Sequence, residues 1–434
     1  MDQARKHPTE SGLRWLRLDN AAKIYPATRS STWSSTFRLS ATLSEAVDTA
    51  VLQRTLDIII HRFPSICARL RRGLFWYYLH QVPHAPKLSP EGSYPLIPMS
   101  KAETRKCAFR VIVYQNRIAV EFFHSLTDGT GGMVFLKTLV AEYIQQKYGV
   151  TIPAGNGVLD RLEDPSADEL EDSFLKYAGT VTAKRRESNA WHPSGTPEPD
   201  GYLNLTCVQL DVKAVLDAAH KLGVSLNTYV AAAMMKALLE LQKQKVPFRQ
   251  FRRPVKIQLP VNLRKFFPSN TLRNFSFYSN PEVDPRLGDY DFDELCTLVH
   301  HHMGSEATKK KMGTQITANV VSERSPVVRA MPLFVKNAVL KLVFFMVGER
   351  KICLSMSNLG NVTLPEEMVP FVNRLDFILP PLSSAPHNCG LLSFQNTLYI
   401  NIIRNIQEPE LEAHFCRILQ EQGLTVTVQS NQRQ

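Results

Sequence analysis

The spacing of apolar residues along the chain predicts an alternation of helices and strands. Residues 42–63 carry apolar side chains on one helical face, Thr42 and Glu45 have the spacing of a capping box, and Pro64 follows at the end. We therefore predict a helix over 42–63.

A strand, a tight turn and a second helix are predicted around the middle of the first half. The ranges 108–114 and 117–123 are rich in β-branched and aromatic residues on either side of a short polar turn, as in a β-hairpin. A glycine-rich turn at 128–132 comes next, and apolar residues then recur at helical spacing. This pattern places His124 at the end of a strand, just before a turn that leads into a helix.

The chain divides into two parts of similar pattern. Residues 151–200 have little periodic apolar signal and are rich in Pro, Gly, Ser and charge, as expected of a crossover. We place a first domain at 1–175, a linker at 176–200 and a second domain at 201–434. The second domain is predicted to contain strands at 202–212, 255–260 and 352–358, helices at 228–242, 291–303 and 409–422, and a hairpin of 391–394 with 398–403. Two α/β layers, each with a mixed or largely antiparallel sheet, account for hairpins mixed with long helices.

Composition limits the class of protein. A chain of 434 residues with 44% apolar and 21% charged residues has the length for two domains and the usage of a folded globular protein. The seven cysteines are scattered and form no Cys-x-x-Cys pair, which argues against a disulfide framework or a zinc site, and we expect no metal. The N-terminal stretch lacks the continuous apolar segment of a secretory signal, so we expect cytoplasmic residence.

The net charge of +11 favours an anionic partner, such as a phosphate-bearing cofactor, an acidic carrier protein or an anionic membrane. Nucleic acid is disfavoured because the basic residues are dispersed and no reader motif occurs. The longest apolar stretch, 331–347, is interrupted by Lys336 and Lys341 and is too short to span a bilayer. We predict a buried or interfacial amphipathic helix there, and peripheral membrane contact through it is one hypothesis.

His124 is the candidate for chemistry. A histidine that ends a strand before a glycine-rich turn is where a rigid scaffold exposes a side chain to a ligand. Histidine also has the ordinary pKa closest to the working pH of a general base. On spacing alone, His124 is either such a base or a hydrogen-bonded core histidine, with Asp128 and Gly129 forming an ordinary turn.

The segment that runs from Glu121 through Phe123, His124, Asp128 and Gly129 resembles the His-His-x-x-x-Asp-Gly motif of the chloramphenicol acetyltransferase-like superfamily. That superfamily includes condensation domains of nonribosomal peptide synthetases, alcohol acetyltransferases and polyketide-associated acyltransferases. Four further segments occur in family order, so that the resemblance covers most of the chain: Leu18-Asp19-Asn20-Ala21, the stretch 62–70, Pro260-Val261-Asn262-Leu263-Arg264 and Ser357-Asn358-Leu359-Gly360. The chain is most similar to the free-standing, condensation-like alcohol acetyltransferases.

One departure from the motif concerns its first histidine, which is Phe123 in this chain. The second histidine, which is the catalytic one in the family, is retained as His124. The departure disfavours a role in peptide-bond formation and leaves acyl transfer open. The late Asp-Phe-Gly-Trp-Gly motif of the plant enzymes is also absent.

The resemblance implies an α/β fold of two chloramphenicol acetyltransferase-like halves, arranged as a pseudo-dimer with a tunnel between them. It implies an acyltransferase in which His124 acts as general base without a covalent enzyme intermediate. The donor would be a thioester, either acyl-CoA or an acyl carrier protein, and the acceptor a small alcohol or amine. We expect no cofactor beyond that thioester, and a monomer.

The resemblance also implies supporting roles for four residues. Asp128 would be structural, and Arg264 either its salt-bridge partner, coupling the two halves, or an ordinary surface arginine. Gly129 would permit an unusual backbone conformation or the close approach of a neighbouring chain. Asn358 is either a polar group near the tetrahedral intermediate or a plain turn residue.

Two other clusters and one other function remain as alternatives. Consecutive helical residues point about 100° apart, so His300, His301 and His302 are better explained as a solvated face than as a metal site. The run 309–311 of three lysines is either a solvated surface or a contact for phosphates of coenzyme A or an acidic carrier. The alternative function is a catalytically degenerate condensation-like domain that binds an acyl carrier protein or lipid.

Overall fold

The computed structural model describes residues 14–30, 35–182, 187–246 and 253–433. The described ranges leave out most of the N-terminal stretch, for which we predict no secretory signal. They also leave out residues 183–186 of the predicted linker. The strands are β1 (Trp15–Arg17), β2 (Thr36–Leu43), β3 (Ala68–Arg72), β4 (Tyr77–Gln81), β5 (Ser89–Pro90), β6 (Phe109–Tyr114), β7 (Arg117–Phe123), β8 (Asn204–Asp211), β9 (Val255–Asn262), β10 (Ser276–Ser279), β11 (Glu282–Val283), β12 (Leu354–Val362), β13 (Val372–Ile378), β14 (His387–Phe394), β15 (Thr397–Arg404) and β16 (Thr427–Ser430).

Helices pack on these strands to form a mixed α/β fold. They are α1 (Tyr25–Thr28), α2 (Thr49–Ile59), α3 (Lys101–Lys106), α4 (Gly129–Tyr148), α5 (Ala167–Leu170), α6 (Ser173–Tyr177), α7 (Val212–Lys221), α8 (Leu226–Lys245), α9 (Phe292–Glu306), α10 (Lys309–Arg324), α11 (Pro326–Ala330), α12 (Leu333–Val343) and α13 (Glu410–Glu421). A π-helical turn, Phe344–Gly348, continues α12. The predicted α/β fold class is confirmed.

The strands form two larger sheets and one small one. The first has the order β13-β2-β7-β6-β5 and is antiparallel except for the β5–β6 pair. The second has the order β10-β9-β12-β14-β15-β8-β16, with β11 also paired to β9, and its β9–β12 and β12–β14 pairs are parallel. The third is β1-β4-β3. Each of the two larger sheets contributes to a large hydrophobic core of its own.

One strand connects the two halves of the chain. β13 comes from the predicted second domain but pairs along its length with β2 of the first sheet, from Val372 opposite Leu43 to Ile378 opposite Arg38. Pairing of a strand with a distant partner leaves no trace in local periodicity. The domain limits at 175 and 201 remain a prediction. β13 lies within the predicted second domain but belongs to the sheet of the first.

Most predicted elements occur with ends shifted by a few residues, and the two hairpins, β6–β7 and β14–β15, are confirmed. The prediction of a helix over 42–63 is wrong for the first part of that range. β2 extends to Leu43, and α2 begins only at Thr49, where the carboxylate of Asp48 accepts hydrogen bonds from the backbone of Ala50 and Val51. Sheet pairing of β2 with β7 outweighs the capping-box signal at Thr42.

The stretch 331–347 forms a helix, but the buried alternative of its prediction as a buried or interfacial helix is wrong. Pro332 precedes α12, and most large apolar side chains of the segment are exposed to solvent. Lys336 faces inward instead, with its ammonium group 3.5 Å from the ring centroid of Trp76 and 2.9 Å from the carbonyl oxygen of Phe75. A cation–π contact and a hydrogen bond together offset the cost of burying the charge. Among the described residues, no single helix has the length and hydropathy of a membrane span, and one bent pair, α7 with α8, meets both criteria only when taken together.

Candidate active site

The predicted strand–turn–helix holds His124 in a fixed backbone position. β7 ends at Phe123, and the amide of His124 donates a 2.7 Å hydrogen bond to the carbonyl of Ser35 beside the start of β2. Four residues later comes Asp128, the N-cap of helix α4, whose side chain accepts hydrogen bonds from the amides of Thr130 and Gly131. An aspartate N-cap after a short turn is a strong local signal, which is why the sequence predicts this element well.

The imidazole of His124 is held by Asn274 from the other half of the chain. Nδ1 of His124 lies 3.0 Å from Oδ1 of Asn274. The amide nitrogen of Asn274 donates to the carbonyl oxygen of His124 at 3.0 Å and to Oδ2 of Asp19 at 3.2 Å. Both of these partners are acceptors, so the amide orientation is assigned by the network. Oδ1 must then accept a hydrogen bond from the protonated Nδ1, which leaves the lone pair on Nε2 of His124.

Two aromatic rings enclose the imidazole. Tyr25 stacks on it with centroids 4.5 Å apart and planes 17° apart, and Phe37 presents an edge at 5.1 Å. The ring remains partly exposed, and within the described ranges no group hydrogen-bonds to Nε2. Burial and the charges of Asp19 and Asp128 raise the pKa of the Tyr25 hydroxyl, which therefore stays protonated.

The surroundings of His124 favour the neutral form of its imidazole. Burial lowers the pKa of its imidazole below the ordinary 6.5. The hydrogen bonds of the ring to its own carbonyl and to Asn274 oppose this shift, as do the negative charges of Asp128 and Asp19, but they do not cancel it. A neutral imidazole with an unoccupied Nε2 can accept a proton, which is the state a general base requires.

Asp19 anchors the far end of the same network. Its side chain is fully buried, Oδ1 accepts from the amide of Ala22 at 2.7 Å, and Oδ2 lies 3.7 Å from Nε of Arg273. The chain of groups therefore runs from Arg273 through Asp19 and Asn274 to His124. Sequence reasoning quoted Asp19 only within the family-like segment and did not assign it a role. It missed Asn274 altogether, because no local pattern marks a residue 150 positions from its partner.

Asp128 and Arg264 form a largely buried ion pair, with Nη1 of Arg264 2.8 Å from Oδ2 of Asp128. The same Oδ2 accepts the amide of Phe275 at 2.9 Å, and the guanidinium also donates to the carbonyls of Thr271 and Arg273. Arg264 thus orders the segment 271–275, which carries Asn274, and attaches it to the turn that carries His124. An ordinary surface arginine would have none of these contacts.

Gly129 and Gly131 let two chain segments approach the start of α4. A Cβ on Gly129 would lie 2.7 Å from Cδ2 of Leu359, and the backbone φ of Gly129 is not positive. Of the two explanations for this glycine, the structure therefore supports the close approach of a neighbouring segment and not an unusual backbone conformation. A Cβ on Gly131 would collide with the carbonyl oxygen of Leu272 and the hydroxyl of Thr127. The hydroxyl of Thr127 itself donates a 2.6 Å hydrogen bond to that carbonyl.

Asn358 lies in β12 at the point where the register of that strand shifts. Its Oδ1 accepts the amide of Gly360 at 2.7 Å, and its Nδ2 lies 3.3 Å from Oδ1 of Asn227. Gly360 has a φ of +77°, so the side chain of Asn358 closes a turn that glycine makes possible. The structure brings the neighbouring Leu359 against Gly129, whereas a role for Asn358 at a tetrahedral intermediate stays a prediction.

Phe123, which replaces the first histidine of the motif, is fully buried in the hydrophobic core of the first half. The guanidinium of Arg29 lies 5.5 Å from its ring centroid. None of the hydrogen bonds that hold His124 involves the Phe123 side chain, so the network around the imidazole is formed without the first histidine.

The remaining clusters are dispersed. His300 and His301 are exposed, whereas His302 lies 3.1 Å from the hydroxyl of Ser279. In the lysine run, Lys311 pairs with Glu306, and Lys309 lies over the ring of Phe267. In the part of the chain that the structure describes, no group of three His, Cys, Asp or Glu side chains is placed to hold a metal ion.

Comparison with known proteins finds similar chains by structure alone. No protein-family model matches the chain, and no curated protein matches it by sequence. Among solved structures, TRI101 of Fusarium graminearum complexed with coenzyme A and T-2 mycotoxin superposes with a TM-score of 0.62 at 10% identity, covering 95% of this chain and 99% of that one. TRI3 trichothecene 15-O-acetyltransferase of Fusarium sporotrichioides gives 0.58 at 12% identity, covering 96% of both chains.

A condensation domain is similar to the same extent. The starter condensation domain of rhizomide synthetase RzmA, in complex with C8-CoA and Leu-SNAC, gives a TM-score of 0.56 at 15% identity, covering 94% of this chain and 93% of that one. At such identities the likeness establishes the fold and not the activity. The two-lobed fold implied by the resemblance of the His124 segment is confirmed.

Proposed function

We propose that this protein is an acyltransferase that moves an acyl group from a thioester to an alcohol or amine, with His124 as general base. The observation that carries the proposal is the hydrogen bond between Asn274 and Nδ1 of His124. This bond selects the imidazole tautomer whose Nε2 lone pair has no partner among the described residues. The fold similarity to an acetyltransferase and to proteins in complex with coenzyme A or C8-CoA supports the same class of reaction.

In the proposed reaction, Nε2 of His124 removes the proton from the acceptor as its oxygen or nitrogen attacks the thioester carbonyl. The tetrahedral intermediate then collapses, the carbon–sulfur bond breaks, and the imidazolium returns the proton to the departing thiolate. No covalent bond to the enzyme forms. Such proton transfer contributes about 10²- to 10⁴-fold in rate, and holding donor and acceptor at one imidazole contributes more.

The surroundings of His124 suit the charge that appears on the ring during this step. While the ring is protonated, Oδ1 of Asn274 accepts a hydrogen bond from Nδ1, and the charges of Asp19 and Asp128 favour the imidazolium. The stacked ring of Tyr25 limits rotation of the imidazole. The ring therefore keeps one orientation while it accepts and returns the proton.

We propose acyl-CoA or an acyl carrier protein as donor, a passage between the two halves as the place of reaction, and a cytoplasmic enzyme. We also propose that the enzyme is a monomer. The alternative, a catalytically degenerate binding domain, is less well supported. Phe123 replaces the first histidine of the motif and is buried, yet the hydrogen bond that holds His124 is formed.

The test is thiol release from acyl-CoA, and from an acyl-pantetheine thioester that mimics a carrier, in the presence of a panel of alcohols and amines. We expect His124→Ala to lower turnover by at least about 10²-fold with thermal unfolding unchanged. The exposed His301→Ala serves as the matched control and should retain full turnover. Full activity of His124→Ala would overturn the role of the base. Binding of the thioester without turnover by the wild-type protein would favour the degenerate domain.

A further inference from the structure

The first observation is an exposed ridge of apolar side chains on α12 and the π-helical turn after it. We call this set the apolar ridge: Phe334, Val339, Leu342, Phe345, Met346 and Val347, each at least 42% exposed and Phe334 68%. The chain has no acidic residue between Glu323 and Glu349, so the ridge is flanked only by basic side chains of its own segment. A contiguous apolar surface of this kind on a folded protein marks a contact site.

The tip of the β3–β4 hairpin extends the ridge. Leu74 is 75% exposed and Phe75 is 41% exposed. The carbonyl of Leu74 accepts the amide of Leu333 at 3.2 Å, and that of Phe75 accepts the ammonium of Lys336. These bonds join the hairpin tip to α12, so the exposed side chains of both belong to one surface.

The second observation is the outer face of the small sheet, on the strands that lead to and from that hairpin tip. Register places Arg17, Tyr78 and Arg71 in one row across the sheet, and Trp15, His80 and Arg69 in the next. We call the cationic side chains of this region the basic face: Arg17, Arg69 and Arg71 on the face itself, with Arg72 at the end of β3 and Arg105 from α3 beside it. Four of these arginines, Arg69, Arg71, Arg72 and Arg105, line an open cleft of about 560 Å³ together with the rings of Trp15, Tyr78 and His80.

Among the described residues, the charges of the basic face have no acidic counterions. No carboxylate of those residues lines the cleft, and the chain has no acidic residue between Asp57 and Glu91. In the described part of the chain, none of Arg17, Arg71, Arg72 and Arg105 is within ion-pair distance of a carboxylate. Guanidinium groups held together without acids repel one another and attract phosphate, to which the planar fork of arginine binds well.

We propose that the apolar ridge and the basic face together form a docking surface for an anionic phospholipid bilayer. Exposed Phe, Leu, Met and Val side chains enter the boundary of the acyl chains, while the arginines meet lipid phosphates, and Trp15 and Tyr78 lie at the level of the headgroups. A second copy of the chain is a poor occupant, because a twofold contact would bring the basic face against itself. This inference concerns binding and does not depend on the acyl transfer proposed above.

The experiment is sedimentation of the full-length protein with vesicles of phosphatidylcholine alone or with about 30 mol% phosphatidylglycerol. We expect binding to the anionic vesicles only, decreasing as salt is raised. Arg71→Gln/Arg72→Gln/Arg105→Gln should weaken the partition on the order of 100-fold. Phe334→Ser/Leu342→Ser/Met346→Ser should weaken it at least about tenfold and leave the salt dependence in place.

Control variants carry changes of the same kind elsewhere on the surface. Arg54→Gln/Lys221→Gln/Lys310→Gln removes the same charge from other helices, and Leu162→Ser/Leu287→Ser removes exposed apolar side chains from other sites. Both controls should bind vesicles like the wild type. Absence of binding to anionic vesicles, or binding that survives both docking-surface variants, would overturn the proposal. So would size-exclusion evidence of a dimer that the apolar-ridge variant dissociates, since a second copy would then be the occupant.

Discussion

Oδ1 of Asn274 lies 3.0 Å from Nδ1 of His124, although 150 residues separate them in the chain. The amide nitrogen of Asn274 is engaged with the His124 carbonyl and with Asp19, so Oδ1 is the atom that faces the ring. One side chain of the second half thereby sets the tautomer of a histidine in the first half.

Asn274→Ala should lower kcat by about 10²-fold with KM little changed. The imidazole of His124 would lose its fixed orientation but would still lie beside the substrate. The hydrogen bond that Nδ1 of His124 donates to Asn274 raises the pKa of His124, so its loss should also move the acidic limb of the pH–rate profile to lower pH. A merely structural role would move the melting temperature and leave that limb in place. An unchanged kcat would contradict the role of Asn274 in positioning the ring.

The pH dependence of the wild type follows from the state of His124. Protonated imidazole cannot act as a base, and burial lowers its pKa below 6.5. We therefore expect the acidic limb of kcat/KM to be centred below pH 6.5, with kcat/KM falling about tenfold per pH unit along that limb. Stopped assays in overlapping buffers measure this profile. An acidic limb centred above 6.5 would contradict the neutral state of the ring.

Arg264→Ala should destabilise the protein by about 3 kcal/mol, since it leaves the carboxylate of Asp128 buried without its counterion. Turnover should fall as well, because Arg264 orders the segment that carries Asn274. In urea unfolding, Asp128→Asn combined with Arg264→Ala should cost less than the sum of the single changes. The exposed pair of Lys213 and Asp217 is the control, and Lys213→Ala should have no measurable effect. Strict additivity of the two changes would argue that the ion pair does not couple them.

Replacement by alanine should change the stability of the protein by different amounts at the two glycines at the start of α4. Gly131→Ala drives a methyl group into the backbone of Leu272 and should cost about 3 kcal/mol or prevent folding. Gly129→Ala meets only the flexible end of Leu359 and should cost about 1 kcal/mol. Gly304→Ala, in open space on α9, should stabilise the protein by about 0.5 kcal/mol. Thermal unfolding of the three variants checks the order, and equal effects at Gly129 and Gly131 would contradict it.

The sequence alone determined the elements whose signals are local. The hairpin β6–β7, the Asp128 cap and the helix α4 each depend on residues within a few positions of one another, so spacing and capping chemistry predict them and place His124 at the end of a strand. The partnership of Arg264 with Asp128 came from resemblance, because that resemblance includes the segment around Arg264.

Only the tertiary structure decided which distant groups meet. Asn274 reaches His124 from the second half of the chain and also binds Asp19 near its start, β13 joins a sheet of the other half, and Lys336 turns inward on α12. Apolar periodicity records which face of an element is buried, but not what covers it. That choice depends on packing, hydrogen bonding and desolvation summed over the whole core, and it brings together residues that no local pattern connects.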